Sequence, residues 1–155
     1  MMDSFKLNPV KMQLLLEIET LIKCNELSAK FGLTLTEAQI QNLLEKRLEA
    51  LKSTGRIEFG ESILKKLIYT FCDSPYISQE DYEYILMELQ DSFYYFKNES
   101  KDLISDDELI EYMKRIFDEE GKGSLEYLTG ATLGDLCRNT PYDYRIGYRY
   151  PYEQK

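Results

Sequence analysis

The chain has 155 residues, the usual size of one domain, and its 43% hydrophobic and 30% charged side chains are normal for a globular protein. It contains no histidine, which excludes His-activated nucleophiles and His-ligated metal sites. The net charge of −9 argues against nucleic-acid binding, because a surface that binds a duplex needs clustered Lys and Arg.

The number and spacing of the cysteines and the short apolar runs indicate a cytoplasmic location. The three cysteines, Cys24, Cys72 and Cys137, are far apart and odd in number, as expected for thiols in a reducing cytoplasm. The apolar runs, such as Leu14–Leu16, are no longer than four residues, far shorter than the roughly 20 residues of a membrane span. We therefore expect a cytoplasmic protein with no signal peptide, membrane contact, cofactor or metal.

Residues 10–30 are predicted to form a first helix that begins near Pro9, a residue suited to the first helical turn. The stretch Leu14–Ile18 is also compatible with a short strand, so both alternatives stay open at this point. The apolar residues at helical spacing, which we expect to be buried, are Val10, Leu14, Leu15, Ile18, Leu21 and Ile22.

Residues 36–53 carry the clearest helix signal. Thr36 followed by Gln39 is typical of a capping box, and Gly55 stands where a left-handed residue ends a helix. Leu35, just before the cap, can pack against the helix as a hydrophobic staple. The residues predicted to be buried are Ile40, Leu43, Leu44, Leu48 and Leu51.

The next segment alternates apolar and charged residues over Ile57–Phe59, which predicts an extended stretch at 56–60. A helix over 61–72 follows and ends at Asp73–Pro75, because the residue before a proline avoids the helical region. Its predicted buried residues are Ile63, Leu64, Leu67, Ile68 and Phe71.

Ser78 with Asp81 predicts the start of a long helix that reaches about Asn98. Over residues 78–120 the chain has 14 acidic and 4 basic residues, a net charge of −10. We therefore expect the solvent face of this region to be acidic. The predicted buried residues of the long helix are Tyr82, Ile85, Leu86, Leu89, Phe93 and Phe96.

Ser105 with Glu108 predicts another capped helix, which closes at Gly121 and Gly123. The acidic residues of its first turn suit the positive end of the helix dipole, so we do not assign them to a metal. The residues predicted to be buried are Leu109, Ile110, Met113, Ile116 and Phe117. Short helices are expected at 124–128 and 132–138.

The C-terminal tail differs from the rest because tyrosines alternate with Arg and Gly over 144–150, a strand pattern. We expect a helical domain at 1–140 and a Tyr/Arg-rich extension at 141–155. The predicted fold is a mainly α, single-domain bundle of five or six helices. A minor β element formed by residues 56–60 and 144–150 is left open.

One loop is similar to an EF-hand calcium loop over a dozen residues. Asp118, Glu120 and Gly123 match positions 1, 3 and 6, but Lys122 stands at position 5 and Thr129 at position 12. Both of the latter positions normally supply oxygen ligands. A glycine-rich helix end is therefore the favoured interpretation, and weak calcium binding is kept as a lesser alternative.

Tyrosine is the best candidate for binding, because it offers a large area with a polar tip and is enriched at interfaces. The alternative is that these rings cover the domain's own core. Our leading hypothesis is a non-enzymatic interaction or adaptor protein that contacts another protein or itself, and the rival is an enzyme using Tyr, Lys or carboxylates. The candidate surface residues are Tyr94, Tyr95, Tyr144, Arg145, Tyr148, Arg149 and Tyr150.

Three stretches, Gly55–Ile77, Phe93–Ser100 and Ser105–Leu109, resemble a family of small acidic proteins from Firmicutes, chiefly clostridia. The resemblance covers about residues 24–138. The family is known only as a domain of unknown function. The resemblance therefore implies a bacterial cytoplasmic origin but supplies no activity and no catalytic residues.

Overall fold

Helices account for most of the chain in the computed structural model, which describes residues 9–58 and 62–131. The predicted class, a mainly α single-domain bundle, is confirmed, and no strand occurs within those two ranges. The helices are α1 (Pro9–Lys23), α2 (Asn25–Ser28), α3 (Glu37–Thr54), α4 (Leu64–Phe71), α5 (Tyr82–Glu99) and α6 (Asp106–Arg115). A 3₁₀ turn (Ala29–Phe31) follows α2, a π-helical turn (Ile116–Glu120) extends α6, and residues 125–131 are helical.

Several predicted features fall outside the described ranges. These are residues 59–60 and 144–150 of the proposed β element, the helix at 132–138 and the domain boundary at 140. Residues 56–58, which are described, have no regular secondary structure. In the described part of the chain, no helix is long and apolar enough to cross a membrane.

Local capping fixes two of the helix starts, as predicted. The Oγ1 atom of Thr36 accepts from the Gln39 N–H at 3.1 Å, and Gln39 Oε1 accepts from the Thr36 N–H at 2.9 Å. Ser105 and Glu108 form the same reciprocal pair at the start of α6. Gly55 ends α3 with φ of 70°, where a side chain would be strained.

Helix α5 begins at Tyr82, three residues later than a cap at Ser78 would place its first residue, so the expectation that Ser78 caps it is wrong. The Ser78 hydroxyl contacts the Asp81 carboxylate at 3.3 Å, and the Asp81 N–H donates to the Ser78 carbonyl. Gln79 is held elsewhere, because its side chain exchanges two hydrogen bonds with the Thr34 backbone. These contacts make a turn of residues 78–81.

The core lies around α5, which packs against α3, α4 and α6. Every residue predicted to be buried on α4, α5 and α6 is buried, together with Ile63 before α4 and Ile116 and Phe117 after α6. The rings of Phe71 and Phe117 meet edge to face at 5.7 Å, which joins α4 to the end of α6.

The α6 end is closed by glycines, as predicted. The N–H of Gly121 donates to the Ile116 carbonyl at 2.8 Å, and the N–H of Gly123 donates to the Phe117 carbonyl at 2.7 Å. Gly123 has φ of 88°, and a Cβ there would lie 2.5 Å from the Cβ of Tyr76. The position therefore needs glycine for two reasons, its backbone conformation and the close approach of Tyr76.

The first predicted helix is confirmed over Pro9–Lys23, so the strand alternative for Leu14–Ile18 is wrong. The helix does not continue to residue 30, because a turn at Cys24 separates α1 from the short helix α2. Ile18 and Leu21 are buried, but several other residues predicted to be buried are not. The exposed ones are Val10, Leu14, Leu15 and Ile22 on α1 and Leu48 on α3.

These errors have two physical causes. Val10 and Leu14 lie in line with Ile18 and Leu21, but the helices that cover the second half of α1 do not reach its first two turns. On α3, the inward position is taken by a charged residue, Arg47, and Leu48 is left 62% exposed at the edge of the buried stripe.

Candidate interaction surface

Helix α1 exposes apolar side chains on the side that faces away from the core. Met12, Leu15, Leu16 and Ile22 follow helical spacing there, and Leu15 and Leu16 are 48% and 53% exposed. Val10 and Leu14 add exposed apolar surface on the opposite side of the first two turns. We call these six residues the α1 patch.

The first half of α1 is thus apolar almost all round. A helix with this pattern is normally buried, so the exposure of the α1 patch is unusual for a globular domain. The four residues on the outer side, Met12, Leu15, Leu16 and Ile22, expose on the order of 350 Å² together, and contiguous apolar patches of this size on a monomer often mark binding sites.

A buried carboxylate fixes how α1 is rotated. Glu17 is only 3% exposed, and its Oε2 atom accepts from the Ser62 N–H at 3.0 Å and from the Ser62 hydroxyl at 2.7 Å. The Ser62 Oγ atom in turn accepts from the Leu64 N–H at 3.2 Å, at the first residue of α4. Glu17 therefore ties α1 to the start of α4 and holds the outer side of α1 toward solvent.

Sequence reasoning missed Glu17. The available signal was an acidic residue on the same helical stripe as Leu14, Ile18 and Leu21, where an apolar residue is expected. Because its partner Ser62 lies 45 residues away, the sequence alone could not identify the contact.

Of the two neighbouring tyrosines proposed for binding, Tyr94 packs inside the molecule. It is fully buried, and its hydroxyl donates to the Glu58 carboxylate at 2.7 Å. Arg47 donates to the same Glu58 oxygen at 3.2 Å. Burial, and then the Glu58 carboxylate, raise the pKa of Tyr94 above its usual value, so the hydroxyl stays a protonated donor at neutral pH.

Arg47, Glu58 and Tyr94 form a polar cluster. A second ion pair, Arg56 with Asp102, extends this polar cluster to the end of α5. Arg56 donates to both carboxylate oxygens of Asp102, at 2.7 and 3.2 Å, and to Asn98 at 2.8 Å. The Arg56 hydrogen bond lowers the pKa of Asp102. Asn98 donates to the Thr54 carbonyl at 3.0 Å, so the cluster fastens the segment after α3 to the end of α5.

Tyr95, by contrast, is 44% exposed and borders a surface groove of about 410 Å³ between α3 and α5. Lys46 and Glu49 form an ion pair at 3.4 Å beside it, and burial raises the pKa of Asp91. The groove offers mixed charge with one aromatic ring. Its lining residues are Lys46, Glu49, Ala50, Ser53, Thr54, Asp91 and Tyr95.

The carboxylates of the EF-hand-like loop are held by protein donors. Asp118 accepts from the Ser74 hydroxyl at 2.7 Å and pairs with Lys114 at 2.9 Å. Glu120 accepts from the Tyr127 hydroxyl at 2.9 Å. Within residues 9–58 and 62–131, no three His, Cys, Asp or Glu side chains cluster in a way that could hold a metal ion.

The remaining candidates, Tyr144, Arg145, Tyr148, Arg149 and Tyr150, lie outside the described residues. The structure therefore brings Tyr95 to the surface and places Tyr94 in the interior. It also reveals the α1 patch, whose members the sequence pattern had largely assigned to the core.

A family model, described as a family of unknown function (DUF6323), matches residues 20–146. The chain belongs to this family. The match agrees with the resemblance carried by residues 55–77, 93–100 and 105–109. No curated protein and no solved structure is detectably similar to the chain. Five of the six α1 patch residues precede the part that matches DUF6323, so the family itself gives no information about the patch.

Proposed function

We propose that this DUF6323 protein is a non-enzymatic interaction protein that binds a protein partner through the α1 patch. The observation that carries the proposal is the exposure of Leu15 and Leu16 at about half of their surface on a helix that is apolar nearly all round. We place the protein in the cytoplasm of a bacterium of the Firmicutes, in keeping with its sequence resemblance and its buried thiols, Cys24 and Cys72.

The arrangement of the polar cluster favours an interaction protein over an enzyme. Glu58 is occupied by Arg47 and Tyr94, and Asp102 is occupied by Arg56. A general base or nucleophile needs a group that is available to substrate, whereas these groups satisfy one another. The rival hypothesis of an enzyme using Tyr, Lys or carboxylates gains no support from this cluster.

The test is affinity capture from the native cell with three full-length baits, followed by quantitative mass spectrometry. The baits are the wild type, L15E/L16E, which places charge in the α1 patch, and L48E, which places a charge at a lone exposed leucine on α3. An untagged copy of the chain counts as a partner. We expect a partner that the wild type and L48E retain and that L15E/L16E loses. Identical capture by all three folded baits, or no partner for any of them, would contradict the proposal.

A further inference from the structure

We propose that the occupant of the α1 patch is a second copy of this chain, so that the protein is a two-fold symmetric dimer joined through α1. This inference rests on the proposed function and names its partner. A two-fold dimer uses the same patch on both subunits, so α1 would pack against α1 of the other copy.

The area of the α1 patch suits a self-complementary pair. On the outer side of α1, the exposed surface of Met12, Leu15, Leu16 and Ile22 amounts to on the order of 350 Å² per copy, and two copies therefore supply about 700 Å² of the ~1,000 Å² total that a specific interface needs. Polar neighbours on α1 would add to this value. With these polar neighbours the total approaches the lower limit of a specific interface, which corresponds to a dimer of moderate affinity.

Charge also favours a second copy at this place. The net charge of −9 makes two molecules repel each other, but the excess negative charge lies on residues 78–120. On α1 the exposed charged residues are Lys11, Glu19 and Lys23, since Glu17 is turned inward and buried. The helix thus presents an almost neutral face through which two acidic molecules can approach.

Preorganisation lowers the entropic cost of such a contact. The bonds from Ser62 to Glu17 fix α1 against α4 before any partner arrives. A helix that is already formed and held in one rotation loses little freedom on binding. The outer residues Met12, Leu15 and Leu16 are therefore presented in one fixed arrangement.

The test is sedimentation equilibrium of the full chain from low micromolar to about 200 µM, a range that detects dimers of moderate affinity. We expect a dimer for the wild type and for L48E. For L15E/L16E, we expect a helical monomer by circular dichroism, with dimerisation weakened by at least ~100-fold. The L48E control adds a charge to an exposed leucine outside the patch, which separates a specific effect from a general rise in negative charge.

Two results would overturn the inference. The first is a wild type that stays monomeric over the whole range, including a monomer whose patch binds anionic lipid vesicles instead. The second is a dimer that L15E/L16E leaves intact. If the wild type is monomeric but captures a different protein through the α1 patch, the proposed function stands and only the second-copy inference fails.

Discussion

Replacing Glu17 by alanine tests whether the buried carboxylate anchors α1 to the rest of the bundle. The substitution removes the acceptor of two bonds, from the N–H and the hydroxyl of Ser62, a residue that is itself buried. Each buried donor left without an acceptor costs about 1–3 kcal/mol. Relief from burying the carboxylate offsets part of this cost. We therefore expect the free energy of unfolding to fall by about 2–3 kcal/mol, a large part of the 5–15 kcal/mol typical of a domain.

Urea unfolding followed by circular dichroism measures this loss, since the chain has no tryptophan to report fluorescence. Glu19→Ala is the matched control, because Glu19 is exposed on the same helix and its loss should change stability by no more than ~0.5 kcal/mol. The double variant Glu17→Ala/Ser62→Ala should lose less stability than the sum of the losses in the two single variants, because the two residues share one interaction. The reasoning is refuted if Glu17→Ala costs less than about 1 kcal/mol and shows no coupling to Ser62.

Three further predictions concern stability. Gly123→Ala should destabilise more than Gly55→Ala in urea unfolding, because both have positive φ but a Cβ at Gly123 also meets a tyrosine side chain. Ser105→Ala should cost about 1 kcal/mol, whereas Ser78→Ala, which removes no helix cap, should cost less than ~0.5; equal losses would contradict the capping assignment. Burial raises the pKa of Tyr82 to about 12. Stability should therefore fall between pH ~10 and 12, where only the unfolded state is ionised, and a Tyr82→Phe variant should fall less steeply.

Features set by neighbours in sequence were predictable. The capping boxes at Thr36 and Ser105 need only residues three positions apart, and the glycine ends of α3 and α6 need only a left-handed residue. The buried stripes of α4, α5 and α6 follow directly from helical spacing. The helical class could therefore be predicted from local pattern alone.

Features set by distant contacts were not predictable. The start of α5 depends on Gln79, whose side chain binds Thr34. The exposure of Val10 and Leu14 depends on where other helices stop, which no periodicity reveals. The α1 patch emerges only in three dimensions, because a stripe at core spacing looks the same in sequence whether or not another helix covers it.

Polar residues at inward helix positions are a sequence signal for buried polar contacts. Glu17 and Arg47 each interrupt an apolar stripe, and each meets a partner in the segment between α3 and α4, at Ser62 and Glu58. Their positions could have been singled out from the sequence, although the identity of their partners could not.

The two buried thiols allow local opening of the bundle to be measured by thiol labelling. Cys24 lies between α1 and α2, and Cys72 directly follows α4, so a reagent reaches each sulfur only when that part of the bundle opens. With Cys137 replaced by serine, the two rates of thiol labelling measure separately how often α1 lifts away and how often α4 loosens. If the labelling rate of Cys24 falls as protein concentration rises, self-association suppresses the local opening of α1.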